Sequence, residues 1–417
     1  MLFGLLGLVF AAWAARIPAV RDGLHLTAGQ LGLALLCAGV GGLASFPLAA
    51  TMVARCGQAK AALTAGLALL VALACIGCSA SLPALMVALA LLGGSASCFD
   101  VAINAIGADA EKKAGRSIMS MLHAWFCVGT VSGALSGSVI AGAGVTPQVH
   151  FLVLASVMAV PLWLACRVLA GVELQETSSV DPISGASSDA RPDFHSAANP
   201  NVTSPPENRF HLLPRPLLIL GLIGFFGAIA ENGIADWSGL YMHDHMGASV
   251  GTAPLGYAAF TGAMLLTRLV ADRLKDRFGA RRVVAGGALL AVMGIGIAVG
   301  AQALLAIVFG AEQAAGAGAG NASVQGVHAF VMPLAIAGFA IAGAGLAGVF
   351  PFVFSAAGSA GPNALAGVAT LSYFGALVGP PVIGFLAQWA GLQAALGSLS
   401  VLCLALGAIA LRAQALD

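Results

Sequence analysis

Charge is what this sequence has least of. Asp, Glu, Lys and Arg make up 8% of its 417 residues, and 18 basic side chains nearly balance 17 acidic ones. A soluble domain carries about a quarter charged residues, so a soluble enzyme, a nucleic-acid binder and a disordered chain are all excluded. Catalytic motifs are missing too: there is no HExxH, no nucleophile elbow and no zinc cluster. The alternating Gly316, Gly318 and Gly320 lack the Gly-Lys-Ser/Thr ending of a phosphate loop. No enzymatic activity, metal or cofactor is therefore expected. The eight cysteines (Cys37, Cys56, Cys75, Cys78, Cys98, Cys127, Cys166 and Cys403) show no metal-ligand spacing and read as buried free thiols.

Apolar residues and glycine fill the space that charge leaves. Hydrophobic residues reach 59%, there are 55 glycines, and mean hydropathy is +0.96, which points to helices packed closely inside a bilayer. A membrane-spanning helix needs about 20 mostly apolar residues. Twelve such runs can be read: 1–16, 30–54, 61–80, 83–107, 118–142, 149–169, 214–242, 250–271, 283–309, 329–356, 364–388 and 391–412. The first lacks a basic leader and a small-residue cleavage site, so it reads as a span and not a secretory signal. It starts at residue 1, which leaves open a start further upstream or a short helix.

Every Lys and Arg except Arg16 and Arg21 falls on one side of the membrane if the spans alternate, and the positive-inside rule makes that side, with both termini, cytoplasmic. Residues 171–213 are polar and rich in Ser, Pro, Asp and Asn, and read as a flexible cytoplasmic linker. The linker divides a six-helix half at 1–170 from another at 214–417. A second, Ala/Gly-rich insert at about 310–328 falls outside the membrane and contains the triplet Asn321-Ala322-Ser323, read as chance.

The halves repeat each other. Arg55-Cys56-Gly57-Gln58-Ala59-Lys60 after span 2 matches Arg277-Phe278-Gly279-Ala280-Arg281-Arg282 after span 8, and Ala124-Trp125-Phe126-Cys127 matches Ser372-Tyr373-Phe374-Gly375. Two parallel six-helix repeats are the layout of a secondary transporter that rocks around a central site. Asp276-Arg277-Phe278-Gly279-Ala280-Arg281-Arg282 resembles the loop signature of the major facilitator superfamily, and its first-half copy has Ala54 in the acidic position. Further segments resemble the YbjJ-like inner-membrane group, related to the fucose:proton symporter branch. They are Trp13-Ala14-Ala15-Arg16-Ile17-Pro18, Asp100-Val101-Ala102-Ile103-Asn104, Glu111, Gly115-Arg116-Ser117-Ile118-Met119, His123, Glu231-Asn232-Gly233-Ile234-Ala235-Asp236-Trp237 and Val349-Phe350-Pro351. The resemblance implies an all-α fold of twelve membrane helices and a small, sugar-like solute. One chain supplies the whole pseudo-twofold, so a monomer suffices.

A charge at the bilayer centre costs about 2.5–3.5 kcal/mol on insertion scales, and such residues usually face a water-filled path. Asp100, Glu231 and Asp236 lie inside spans. Asn104 stands one turn from Asp100 on the same helix face, so the two could hold a proton and a polar solute group together. The resemblance places an acidic residue of the substrate and proton pathway at Asp100; the plainer reading is a helix–helix hydrogen bond. His123 lies at a similar depth and could exchange a proton with Asp100, or be satisfied by a carbonyl. Glu231 and Asp236 are turned about 140° apart on a regular helix, which favours Glu231, with Asn232, as the residue facing the cavity. Trp237 and Tyr241 read either as interfacial anchors or, for Trp237 as for Trp13, as cavity lining. Arg16 is read as a gate partner of Asp22 or Asp236, or as a snorkelling side chain. The resemblance gives Asp276, Arg277, Gly279, Arg281 and Arg282 a gating role, joined by Arg268 and Asp272, with Glu111, Lys112, Lys113 and Arg116 in the matching first-half loop. The expected activity is proton-coupled import of a small polar solute. The alternatives are a proton-driven exporter and a membrane-embedded enzyme or sensor.

Overall fold

The computed structural model describes residues 1–115, 119–179, 214–309 and 321–416. It is built from helices: α1 (Leu2–Ala14), α2 (Ile17–Gly23), α3 (Ala28–Cys56), α4 (Gln58–Gly77), α5 (Leu82–Ala114), α6 (Met119–Gly142), α7 (Pro147–Ser179), α8 (Arg215–Asp244), α9 (Leu255–Phe278), α10 (Ala280–Phe309), α11 (Asn321–Leu346), α12 (Val349–Ser359), α13 (Pro362–Ala390) and α14 (Leu392–Ala410). Among the described residues, ten helices are long and apolar enough to cross a membrane, with the stretch from Val331 to Ser359 counted as one. α1 and α2, bent by 43°, make an eleventh. α9 is the twelfth; Arg268 and Asp272 lower its hydropathy. The first span, expected over 1–16, is thus straight only over Leu2–Ala14 and continues past a bend as α2. α1 covers only about 20 Å, and Pro18, in the first turn of α2, cannot donate the bond that would continue the helix.

Helices α1–α7 form one half and α8–α14 the other. In the first, α1 packs on α6, α3 on α5, and α4 on α5 and α7; in the second, α8 packs on α13, α11 on α9 and α10, and α14 on α8 and α10. The halves meet where α3 lies on α13 and α6 on α9. One face of the bundle, the terminal face, carries the α5–α6 and α9–α10 turns and the C-terminal residues. The distal face carries the α1–α2 corner and the α6–α7, α8–α9 and α13–α14 turns. α7 continues to Ser179, into the stretch expected as linker, and α11 begins at Asn321, inside the expected insert. Residues 180–213, 310–320 and Arg116 lie outside the described residues.

Apolar side chains gain little from leaving lipid for another helix, so close backbone contact has to hold such a bundle together. A Cβ on Gly93 of α5 would run into the Ala38 carbonyl of α3, and one on Gly343 of α11 into the Phe260 carbonyl of α9. The repeat is visible in these contacts. Gly129 on Gly4 and Gly133 on Leu8 recur as Gly375 on Phe225 and Gly379 on Ile229, displaced by 246 and 221 residues in the two helices. This corrects the register read from sequence by two positions: Phe126, and not Ala124, stands where Ser372 does.

Gly57 and Gly279 occupy the equivalent turns after α3 and α9, with φ of 80° and 81° and extended ψ, a region open essentially to glycine alone. Of the cysteines, Cys56, Cys75 and Cys78 are exposed, against the expectation of burial, because they sit at or near helix ends.

Gly93→Ala should lower stability by about 1–3 kcal/mol through overpacking. Gly286→Ala, where an added Cβ meets nothing within 4 Å, should change it by no more than about 1 kcal/mol, in the stabilising direction. Thermal unfolding of the two variants in detergent, followed by intrinsic fluorescence, checks the contrast.

Candidate functional site

The distal face is held shut across the halves. Arg21 of α2 forms an ion pair with Asp244 at the end of α8, with Nη2 2.8 Å from Oδ1, while its Nε donates to Asp22 at 2.8 Å. His243 approaches Asp244 Oδ1 at 3.0 Å and Asp22 Oδ2 at 4.0 Å. Gln388 at the end of α13 accepts from the Gly29 amide at 3.0 Å. Ser138 of α6 donates to the Gly251 carbonyl. A Cβ on Gly251 would stand 2.7 Å from the Gly142 Cα, so backbone meets backbone at this seam.

The ion pair across the halves on this face is made by Arg21, a residue the sequence reading did not single out as a gate partner. Arg16 is 3% exposed, which rules out snorkelling, and it bonds the Val145 carbonyl of its own half instead of Asp22 or Asp236. Trp237 is fully buried, neither an interfacial anchor nor exposed to a cavity in this conformation. Its ring packs on Gly384, where a Cβ would come within 3.1 Å, at the junction of α8, α13 and α3. Tyr241 is likewise a core residue: it donates to the Val299 carbonyl at 3.0 Å and stacks on His245. Trp13 is buried as well.

Halfway through the bundle the side chains change character. Asn104 donates to the Asp100 carboxylate at 3.0 Å and to the Asp100 carbonyl at 2.8 Å, so the pair read from sequence forms. Across the interface, Tyr373 of α13 lies within electrostatic reach of Asp100 and its ring is 6.3 Å from that of Phe46 on α3. Asp100 and His123 are not brought together. His123 is exposed, packs edge-on against Phe3 at 5.1 Å, and feels the charge of Arg268 instead.

Arg268 lies thirteen residues along α9, at mid-depth and away from the loop network expected for it. The reason is a break in the tenth span. α11 stops at Leu346 and α12 starts at Val349, with Pro351 in the first turn of α12. The Ala347 carbonyl at the break accepts from Arg268 Nε at 3.3 Å, and Cys127 Sγ of the other half lies 3.2 Å from Nη1. Glu231 of α8 is within electrostatic reach of Arg268 without touching it, and its Oε2 is buried with no hydrogen-bond partner. Tyr257 of α9 is buried within electrostatic reach of both Glu231 and Asp236. Asn232 bonds back to the Ala228 carbonyl of its own helix at 2.9 Å.

The loop residues lie apart, on the terminal face. Asp276, Gly279, Arg281 and Arg282 line a crevice with Ser355 and Ser359 of α12. Arg277 covers Phe278 at 5.2 Å, and Asp272 is exposed. In the first-half turn, Glu111 accepts from the Met119 amide at 2.9 Å and so caps α6. Gln58 donates to Asp109 at 2.6 Å; with Ala54 in the acidic place, this link from α4 to α5 ties down the first-half loop.

A helical bundle in two repeats, shut at one face and with ionisable groups at its centre, has the build of a carrier. The sequence profile of the Major Facilitator Superfamily matches residues 1–356. The chain belongs to this superfamily. It is 31% identical over 400 residues to the uncharacterized transporter y4wD of Sinorhizobium fredii, covering 94% of this chain and 90% of the relative. An MFS-type transporter of Yersinia pestis is 30% identical over 414 residues, covering 98% and 93%. The membrane protein MosC of Rhizobium meliloti is 27% identical, covering 94% and 83%. Among solved structures, the nucleoside transporter NupG superposes with a TM-score of 0.67 at 15% identity, over 98% of this chain and 97% of that one. An unoccupied, inward-facing bacterial homologue of the lysosomal transporter Spinster gives 0.65 at 14%, over 99% and 94%. At these identities the structural likeness is one of fold. The protein is thus a multi-span membrane transporter of the superfamily.

Exposed ion pairs contribute up to about 1 kcal/mol, so Asp244→Asn should raise the share of molecules open at the distal face by up to about fivefold. Spin labels at Leu24 and Ser249, in a chain freed of native cysteines, should show longer distances in the variant. An unchanged distance distribution would remove Arg21–Asp244 from the gate.

Proposed function

We propose that this superfamily member moves a small polar, sugar-like solute across the bacterial inner membrane, coupled to protons, by alternating access. The units that rock are residues 1–170 and 214–417, joined by the linker 171–213, with both termini cytoplasmic and the distal face periplasmic. A monomer suffices. The reading rests on one observation above others: each half contributes a carboxyl group at mid-depth, Asp100 beside Asn104 and Glu231 with a buried, unpartnered oxygen. A carboxyl shielded from water can take up and release a proton as access alternates. Asp100, Asn104, His123, Glu231 and Asn232 form the solute and proton pathway; Trp237 joins it when the distal seam parts. Likeness to the YbjJ-like group and the fucose:proton symporter branch supports the solute class. The charged α9–α10 turn and Glu111 hold the terminal face when it closes, and Arg116 is assigned there from sequence.

The test is external pH in lightly buffered, de-energised cells while sugars, polyols, small acids and nucleosides are added in turn. Alkalinisation by one solute, lost in Asp100→Asn with the protein still in the membrane, is the expected result. Alkalinisation unchanged in Asp100→Asn would remove its proton role. Silence across the panel would favour export, to be followed as accumulation in energised everted vesicles.

A further inference from the structure

Arg268 is the one basic residue that the described structure places at mid-depth between the halves, and it is poorly matched by what it touches. A guanidinium has five N–H donors. Here the acceptors in contact are a carbonyl at 3.3 Å and a thiol at 3.2 Å, both uncharged groups. Glu231 faces it within electrostatic reach, yet the two form no direct ion pair, and Glu231 Oε2 is buried with no partner. Arg268 is half-buried, and a charge at membrane depth without a counter-charge is costly. Either Glu231 stays ionised and balances Arg268, or it takes a proton and leaves a positive charge without a counter-charge in the middle of the membrane.

We propose that the solute carries a carboxylate, which Arg268 binds while Glu231 is protonated. The inference rests on the transport reading above and narrows its solute class from sugar-like to a sugar acid or similar small hydroxy-carboxylate. The charges then balance in both states. Empty, the site holds Arg268 with ionised Glu231. Loaded, it holds Arg268 with the solute carboxylate, the proton sits on Glu231, and the solute hydroxyls fall toward Asp100 and Asn104. One proton, on Glu231, and one anion bind together and leave together, with Asp100 in the same protonation state in both forms, so the loaded step moves no net charge. The groups within electrostatic reach of Glu231 from neighbouring helices are Arg268 and Tyr257 of α9, with His123 and Cys127 of α6 beyond Arg268; Asp236 lies along its own helix. Arg268 is the only fixed cation in this set, and it is therefore the anchor for the anion.

The full-length protein in detergent would be titrated with D-glucuronate and D-gluconate and, as neutral counterparts of similar size, D-glucose and sorbitol. Binding would be read from intrinsic fluorescence and thermal shift between pH 5 and 8. Proton uptake would be followed in proteoliposomes with the membrane potential clamped at two values. Expected are binding of a sugar acid that weakens as pH rises, a loss of about 30-fold or more in Arg268→Gln, partial rescue in Arg268→Lys, and binding that is insensitive to pH in Glu231→Gln. Uptake with protons should be unaffected by the potential. If a neutral solute drives proton flux and Arg268→Gln leaves it unchanged, the anion assignment falls while proton-coupled transport stands. If a sugar acid binds through Arg268 but moves no protons, the coupling falls and the anion site stands. If none of the four solutes binds, the assignment to sugar acids is rejected.

Discussion

A guanidinium inside hydrocarbon must find acceptors, and the centre of this protein is arranged around that requirement. Arg268 stands midway along α9, where water is absent unless a cavity admits it. The tenth span breaks between Leu346 and Val349, and the carbonyl of Ala347 at that break is the one Arg268 takes. Irregular backbone at membrane depth is tolerated only where it is buried in protein or lines a cavity. The broken helix and the half-buried cation thus answer each other: one has a spare acceptor, the other spare donors. The same side chain reaches Cys127 of the opposite half, so this contact also ties the two repeats at their midpoint.

Around this centre the scaffold is rigid for a different reason. Small residues let helix backbones touch, as Gly93 does with Ala38 and Gly343 with Phe260. Packing of this kind has little give, and a half built from it moves as a body. The distal seam also has close backbone contact, at Gly251 and Gly142, but it adds links of another sort. Arg21–Asp244, Gln388 with the Gly29 amide, and Ser138 with the Gly251 carbonyl are polar links that water can replace on opening. Interfaces made of exchangeable hydrogen bonds come apart more easily than interdigitated apolar ones, and that contrast places the hinge between the halves and not within them.

The sequence revealed the scaffold readily because the bilayer imposes it: the succession of apolar spans, the repeat and the loop glycines Gly57 and Gly279 all follow from local pattern. Asp100 with Asn104 was legible for the same reason, since partners one helical turn apart are set by the helix itself. What failed were inferences that depend on how helices rotate and tilt against each other. Arg16 looked like a gate residue because it is basic and near the distal face, yet it turns inward to Val145, and Arg21, five residues on, makes the ion pair across the halves. Trp237 sits where an aromatic anchor would, but the approach of α3 and α13 through Gly32 and Gly384 seals it in. Arg268 was assigned to the loop because six charged residues crowd the second half of α9. Only the depth of the α11 break separates it from the rest.

The pseudo-symmetry makes the asymmetry of the centre informative. The displacements that relate the halves are 222 residues for α3 and α9, from the paired turn glycines, and 246 for α6 and α13. They carry Phe46 onto Arg268 and Tyr373 onto Cys127. The same contact between the halves therefore exists twice, once as an aromatic pair and once as a cation on a thiol. A repeat keeps its backbone geometry because packing demands it, and it is free to diverge where side chains face the centre. On one side stands a carboxyl with two rings; on the other, a carboxyl with a guanidinium. A solute held between them meets a surface suited to a ring or chain of hydroxyls on one flank and a charged anchor on the other. Under the anion binding proposed above, this asymmetry would fix one orientation of the solute, which a symmetric pair of sites could not impose.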